Sequence, residues 1–180
     1  YVENRRHAEA IDAADKAVSN APPGSGVIAW ASITQSRAYL ETGRLSQAEQ
    51  SLDRAVAVLP NLPMIHLHRG TLELMRQNNE QAIPHLQRAI QLKPGYSEAY
   101  NNLGVALARL GRLEEALAAH RQAYVADAEN FTALYNVGAT QEKLGRPDEA
   151  ARSFEELADR APRSVRARVR LARLAYARGD

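Results

Sequence analysis

The side chains best suited to chemistry are few, and most are poorly placed to perform it. Among five histidines, His66 and His68 stand two apart, the spacing that first suggests a shared metal ion. On a helix, positions i and i+2 point about 200° apart, so the two imidazoles cannot meet on one ion. His7, His85 and His120 read as surface or packing residues of helices. Cysteine is absent, which removes disulfides, thiolate zinc sites and thiol nucleophiles. There is no Gly-rich phosphate loop, no Ser-His-Asp arrangement and no paired-carboxylate site; Glu114-Glu115 and Glu155-Glu156 read as solvated charge. Neither catalysis, a cofactor nor a metal is expected. Amides and cations remain. Asn102 and Asn136 each offer a carboxamide that donates and accepts at once. Near the end of the chain, Arg166, Arg170 and Arg173 fall at i, i+4 and i+7 on one helix face. With Arg160, Arg163, Arg168 and Arg178 they leave Asp180 as the sole acid from 160 onward. That face suits a carboxylate or an acidic peptide. It equally suits an interface with a following repeat, or plain solvation.

Composition says what must position these groups. The chain has 180 residues, 45% apolar, 24% charged and 6% aromatic, with a net charge of +2. Thirty-three alanines against few Val, Ile and Thr make an all-helical protein the expectation. No stretch approaches the ~20 continuous apolar residues of a membrane span, and a membrane partner is not expected. The charge balance, with no aromatic platform or basic stripe running through the chain, argues against nucleic acid. The opening Tyr1-Val-Glu-Asn-Arg-Arg lacks an initiator Met and an apolar leader, and reads as a segment of something longer. Twenty arginines against three lysines would fit a GC-rich bacterial genome.

A strict repeat organises the chain. Tyr100-Asn-Asn-Leu-Gly104 and Leu134-Tyr-Asn-Val-Gly138 stand 34 residues apart, with His66-Leu-His-Arg-Gly70 one period earlier and Arg168-Val-Arg-Leu-Ala172 one later. Small residues recur at Ser36, Gly70, Gly104, Gly138 and Ala172, and alanine at Ala10, Ala48, Ala82, Ala116 and Ala150. Turn glycines fall at Gly43, Gly111, Gly145 and Gly179; prolines close repeats at Pro22, Pro60, Pro94 and Pro162. Two amphipathic helices of ~14 residues joined by short turns account for the period. Gly111 and Gly145 should end first helices in the left-handed conformation, and Pro147 should open a second helix. Gly104 should face Ala116 within one hairpin. Each hairpin buries only part of its apolar face, so neighbours must stack on it.

This pattern resembles the tetratricopeptide repeat (TPR) family. The third copy reads Tyr100, Leu103, Gly104, Leu107, Ala116, His120, Ala123; the fourth reads Leu134, Val137, Gly138, Gln141, Ala150, Phe154, Leu157, Pro162. The resemblance covers essentially the whole chain and implies an all-α, right-handed α-solenoid of stacked helix-turn-helix hairpins. Complete repeats are expected at 29–62, 63–96, 97–130 and 131–164. A partial repeat and linker at 1–28 would supply a second helix near 7–20, and 165–180 a lone first helix. In that helix Val165, Val169, Leu171 and Leu174 would lack cover, which opens the way to self-association through the array ends.

Departures from the family pattern are local. Gln35 and Arg69 replace apolar residues, and Glu73 and Gln141 replace large ones; Arg69 and Glu73 stand at i,i+4 and suit an ion pair. Gln77 replaces a turn glycine, so Asn78 or Asn79 should take the left-handed conformation. Pro84 should bend its helix outward. Pro22-Pro23-Gly-Ser-Gly26 adds four residues, read as a longer turn.

The resemblance also implies a concave face lined by first helices. One row on it is Thr34, His68, Asn102, Asn136 and Arg170, where an asparagine in similar proteins binds the backbone of an extended peptide. In this chain the two asparagines either do so or simply hold helix geometry. Trp30, Arg37, Met64, Leu67, Met75 and Arg109 map beside that row, as do Ile33, Leu40, Thr71 and Leu74. The apolar members either form a binding patch, with methionine adapting to varied partners, or pack against the adjacent helix. Together with Arg166, Arg170 and Arg173 they define a candidate face for a protein or peptide ligand. The function this implies is a protein–protein interaction scaffold. The alternatives are the recognition region of a larger enzyme, such as a glycosyltransferase or sulfotransferase, and a self-assembling module.

Overall fold

The computed structural model describes the backbone of residues 2–178 and the side chains of 5–177. Gly179 and Asp180 lie outside the described residues, as does the side chain of Arg178. Among the described residues there are ten helices and no strand: α1 Val2–Asn20, α2 Gly26–Glu41, α3 Leu45–Val58, α4 Pro63–Met75, α5 Asn79–Leu92, α6 Ser97–Arg109, α7 Leu113–Ala126, α8 Phe131–Lys143, α9 Pro147–Arg160 and α10 Val165–Arg178. The fold is an all-α helical repeat of the solenoid class. It divides into two compact units, Tyr1–Pro94 with α1 to α5 and Gly95–Asp180 with α6 to α10.

Every hairpin turns the same way because the same backbone hydrogen bond closes it. Arg44 N–H donates to Tyr39 O (2.8 Å), Asn78 to Glu73 (2.9 Å), Arg112 to Leu107 (3.0 Å) and Arg146 to Gln141 (3.0 Å). This is the six-to-one bond of a helix C-terminus that ends in a left-handed residue. Gly43, Gly111 and Gly145 supply it at φ 71°, 77° and 71°. In the second hairpin Gln77 itself takes φ 64°, and neither Asn78 nor Asn79 does. The position is set by the 34-residue register, not by which nearby residue tolerates it best.

In three hairpins the first-helix glycine meets the residue sixteen further on. A Cβ at Gly70 would lie 2.5 Å from Leu86 Cγ, one at Gly104 2.5 Å from His120 Cε1, and one at Gly138 2.8 Å from Phe154 Cζ. Gly104 therefore faces His120, not Ala116. Ala116 is fully buried, one helical turn before the contact. In the first unit Ile33, Leu40, Ala48, Leu52, Ala55, Ile65 and Leu72 form the core. In the second, Phe154 packs with Ala150, Ala151 and Leu174, and Leu134 with Leu157 and Ala167. Leu174 is thus covered by α9, and Leu171 packs beside it. Only Val165, Val169 and Tyr176 are large exposed apolar residues on α10.

The departures from the repeat resolve through partners. Gln35 donates to Asp15 (2.6 Å) and accepts from Arg54 (2.7 Å), joining α1, α2 and α3. Gln141 accepts from Ser153 (2.7 Å). Arg69 and Glu73 do not pair with each other. Arg69 reaches Asp53 (2.7 Å), while Glu73 takes Arg76 (3.2 Å) and Asn78 (2.8 Å), because carboxylate and donor partners on adjacent segments lie nearer. α5 runs unbroken through Pro84, which is exposed. The Pro22–Gly26 insertion is taken up largely by helix: α2 has 16 residues where α4, α6 and α8 have 13. Ser25 Oγ accepts from Val27 N–H (3.2 Å) and caps that extension. α1 likewise starts at Val2, earlier than the expected 7, with Arg5 and Glu9 paired at i,i+4 (3.0 Å).

Candidate functional site

The histidines separate as helical geometry requires. His66 Nε2 lies 3.1 Å from the Pro60 carbonyl oxygen. His68 Nδ1 lies 2.7 Å from Ser36 Oγ in the buried contact between α4 and α2. Burial, aided by the charge of Arg37, pushes the His68 pKa down to about 4. His120 is also buried and is pushed down to about 4 by desolvation, then by Lys143, and its Nδ1 has no hydrogen-bond partner. No group of three His, Cys, Asp or Glu is arranged to hold a metal ion among the described residues. No helix there is long and apolar enough to cross a membrane.

In the first unit the expected apolar face divides. Trp30 and Met75 are exposed, Arg37 is exposed, and Met64 is half-buried against the core. Leu67 and His68 are buried and unavailable to a ligand, as are Ile33, Leu40 and Leu74. Ile33 and Leu40 pack with α3 and with Ile65 and Leu72 of α4, and His68 meets Ser36 of α2, sides that a single amphipathic count cannot separate from the outer one. An apolar groove of about 400 Å³ lies between α1 and α2, lined by Ala10, Ala13, Ala14, Ala17, Val27, Trp30, Ala31 and Thr34.

In the second unit one amide, Asn136, and one cation, Arg170, are anchored. Asn136 Nδ2 donates to Asn101 Oδ1 (2.9 Å), and Asn102 is half-buried. Arg170 pairs with Glu142 (3.2 Å), donates to Tyr135 Oη (3.1 Å) and lies 5.8 Å from that ring's centre. Its guanidinium is held in place and partly neutralised. Arg109, Arg166 and Arg173 are exposed. A cleft of about 240 Å³ opens where α8 and α10 come together, lined by Phe131, Thr132, Tyr135, Asn136, Leu157, Ser164 and Arg166. Of the sequence-derived residues, Asn136 and Arg166 meet in this cleft. Trp30 and Thr34 line the groove in the first unit.

Several site residues escape a reading of one helix at a time: Asn101, Phe131, Tyr135, Glu142 and Ser164. A signal for them exists in the period itself. Polar pairs recur at separations near one repeat: Asn101 with Asn136, Tyr135 with Arg170, Glu142 with Arg170, Glu114 with Arg146, Glu129 with Arg160. Residues that sit one period apart, give or take about two helical turns, are neighbours on adjacent hairpins.

The tetratricopeptide-repeat profile matches residues 33–97, 67–131 and 139–180. The chain is 32% identical over 123 residues to superkiller protein 3 of Schizosaccharomyces pombe, covering 63% of this chain and 9% of that protein. It is 28% identical over 107 residues to the protein O-mannosyl-transferase F38B6.6 of Caenorhabditis elegans, covering 58% of this chain and 16% of that one. The chain therefore spans only a small part of these relatives. Among solved structures, it is similar to YrrB, described as a TPR protein with an unusual peptide-binding site, at a TM-score of 0.68 and 23% identity, covering 91% of this chain and 82% of that one. The 34-residue hairpins, their repeated closing bond and these matches lead to one conclusion: the chain belongs to the tetratricopeptide repeat family, whose stacked hairpins form a scaffold for protein–protein contacts.

Proposed function

We propose that the second unit binds an extended peptide segment in the α8–α10 cleft and that the chain acts as a non-catalytic recognition scaffold. The observation that carries this is the lining of the cleft, in which Arg166, an exposed residue, stands with the polar Asn136, Thr132 and Ser164 and the aromatic Phe131 and Tyr135. Such a mixture fits an apolar side chain followed by a carboxylate. Asn136 supplies a carboxamide to the peptide backbone, and Arg166 supplies the charge. Arg170 acts behind them, since Glu142 already occupies it. The likeness to YrrB in fold, and the peptide site its description names, support the same reading.

The test is a fluorescence anisotropy titration with a labelled peptide of alternating leucine and aspartate. Exposed ion pairs are screened over about 8 Å at physiological salt. Affinity should fall as salt rises, and Arg166→Ala should bind more weakly with a flatter salt dependence. Equal affinity and equal salt dependence in the two proteins would remove the cleft from consideration. A second reading, that this region serves recognition within a larger enzyme, is favoured by the transferase relative. A catalytic domain in the same full-length polypeptide is the observation it requires.

A further inference from the structure

Glu142 and Arg170 depart from the repeat together. At the Glu142 position the earlier repeats hold Leu40, Leu74 and Ala108, and both leucines are buried. At the Arg170 position they hold Thr34, His68, Asn102 and Asn136, all uncharged at pH 7. Between α8 and α10 the apolar residue has become a carboxylate and the uncharged one a guanidinium.

The pair they form is a loose one. Glu142 lies in the last turn of α8, where the helix dipole presents its negative end to an acid. Its backbone is fixed there, since its carbonyl oxygen accepts from Gly145 N–H (3.0 Å) in the hairpin turn. Glu142 Oε2 is buried 3.2 Å from Arg170 Nη1, yet it accepts no hydrogen bond. The contact is one of charge. Tyr135 holds Arg170 from the other side, its Oη accepting from Arg170 Nε (3.1 Å), and Tyr135 also lines the α8–α10 cleft. Arg170 therefore stands next to the cleft, one helical turn beyond Arg166. Four residues of helix advance about 6 Å. Alternate residues of an extended peptide advance about 6.6–6.8 Å, with their side chains on one side. Two acids placed two residues apart would match the two arginines.

Resting on the peptide-cleft reading above, we propose that Glu142 is an internal competitor for a second carboxylate of the ligand, and so sets the specificity of the cleft. With Glu142 in place, Arg170 is already neutralised and the cleft reads a single acid through Arg166. Without the Glu142 charge, Arg170 reads a second acid two residues along the peptide.

Two labelled peptides with blocked termini test this by fluorescence anisotropy: Leu-Asp-Leu-Asn-Leu with one acid, and Leu-Asp-Leu-Asp-Leu with two. The wild type should bind both with similar affinity. Glu142→Gln should bind the two-acid peptide about two- to fivefold more tightly than the one-acid peptide, the range that an exposed ion pair supplies. Adding Arg170→Ala to Glu142→Gln should abolish that preference. Glu142→Asp keeps the charge but draws it back by one methylene, and should show part of the preference. Circular dichroism and melting temperature report whether each variant is folded. A wild type that already prefers the two-acid peptide overturns the proposal. So does a Glu142→Gln protein with no preference, or a preference that survives Arg170→Ala, which would show that Glu142 only repels the ligand. These results leave the cleft reading standing as long as binding of the one-acid peptide still weakens in Arg166→Ala. Binding indifferent to Arg166→Ala overturns both.

Discussion

Hairpins α4–α5 and α6–α7 have the same backbone and opposite weaknesses. In α4–α5 the inner contact is apolar, Leu86 against Gly70, but the turn holds Gln77 at φ 64°. In α6–α7 the turn is relaxed, with Gly111 at φ 77°, but the inner contact buries His120 with Nδ1 unpartnered. Neither defect displaces a helix, since the closing bond is 2.9 Å in one and 3.0 Å in the other. A repeat array absorbs an unfavourable residue because each hairpin is held by its neighbours as well as by its own sequence.

The comparison can be broken most severely at the apolar contact. Leu86 is fully buried against Gly70, and Leu86→Ala should destabilise by about 2–5 kcal/mol, read as a lower denaturation midpoint. A loss well below that range would mean that α5 is held mainly by the helices around it.

Acid should act next, through the two deeply buried histidines. Their folded pKa values are about 4 against an ordinary 6.5, so between those limits the unfolded chain binds more protons. Stability from keeping His68 and His120 neutral is fully present above pH 6.5 and is lost as pH falls toward 4. Melting temperature should therefore drop over that window, and His120→Leu should reduce the slope.

At pH 7 the same His120→Leu change sharpens the comparison by giving α7 the residue that α5 already has. It removes a desolvated, unpartnered nitrogen, a defect that costs roughly 1–3 kcal/mol. Chemical denaturation should show a gain, and a loss would mean the ring makes a contact that leucine cannot replace.

The smallest effect belongs to the turn. A non-glycine residue in the left-handed conformation costs about 1–2 kcal/mol. Part of the relief from Gln77→Gly is offset in the unfolded state, so a gain of about 1 kcal/mol is expected. Gly111→Ala should lose a similar amount in the neighbouring hairpin.

Most of the fold was legible in one dimension. The 34-residue period, the turn glycines and the recurring alanines locate the helices, their turns and the family, because hairpin closure depends on residues close together in sequence. Even Gln77 obeyed that register against its own preference. The site was legible only in part. Asn136 and Arg166 line the cleft and Trp30 lines the groove, but Leu67 and His68 point inward and Glu142 already holds Arg170.

Amphipathic spacing by itself determined which residues form helices and which helices pair. It did not determine which apolar side of a first helix meets its neighbours and which meets water. That choice rests on contacts between residues some 30 positions apart, such as Ser36 with His68, Asn101 with Asn136 and Tyr135 with Arg170. Only stacked hairpins bring those residues within reach. The tertiary structure therefore decided which amides and arginines are already engaged, because a hydrogen-bonding side chain takes whatever partner the fold sets beside it.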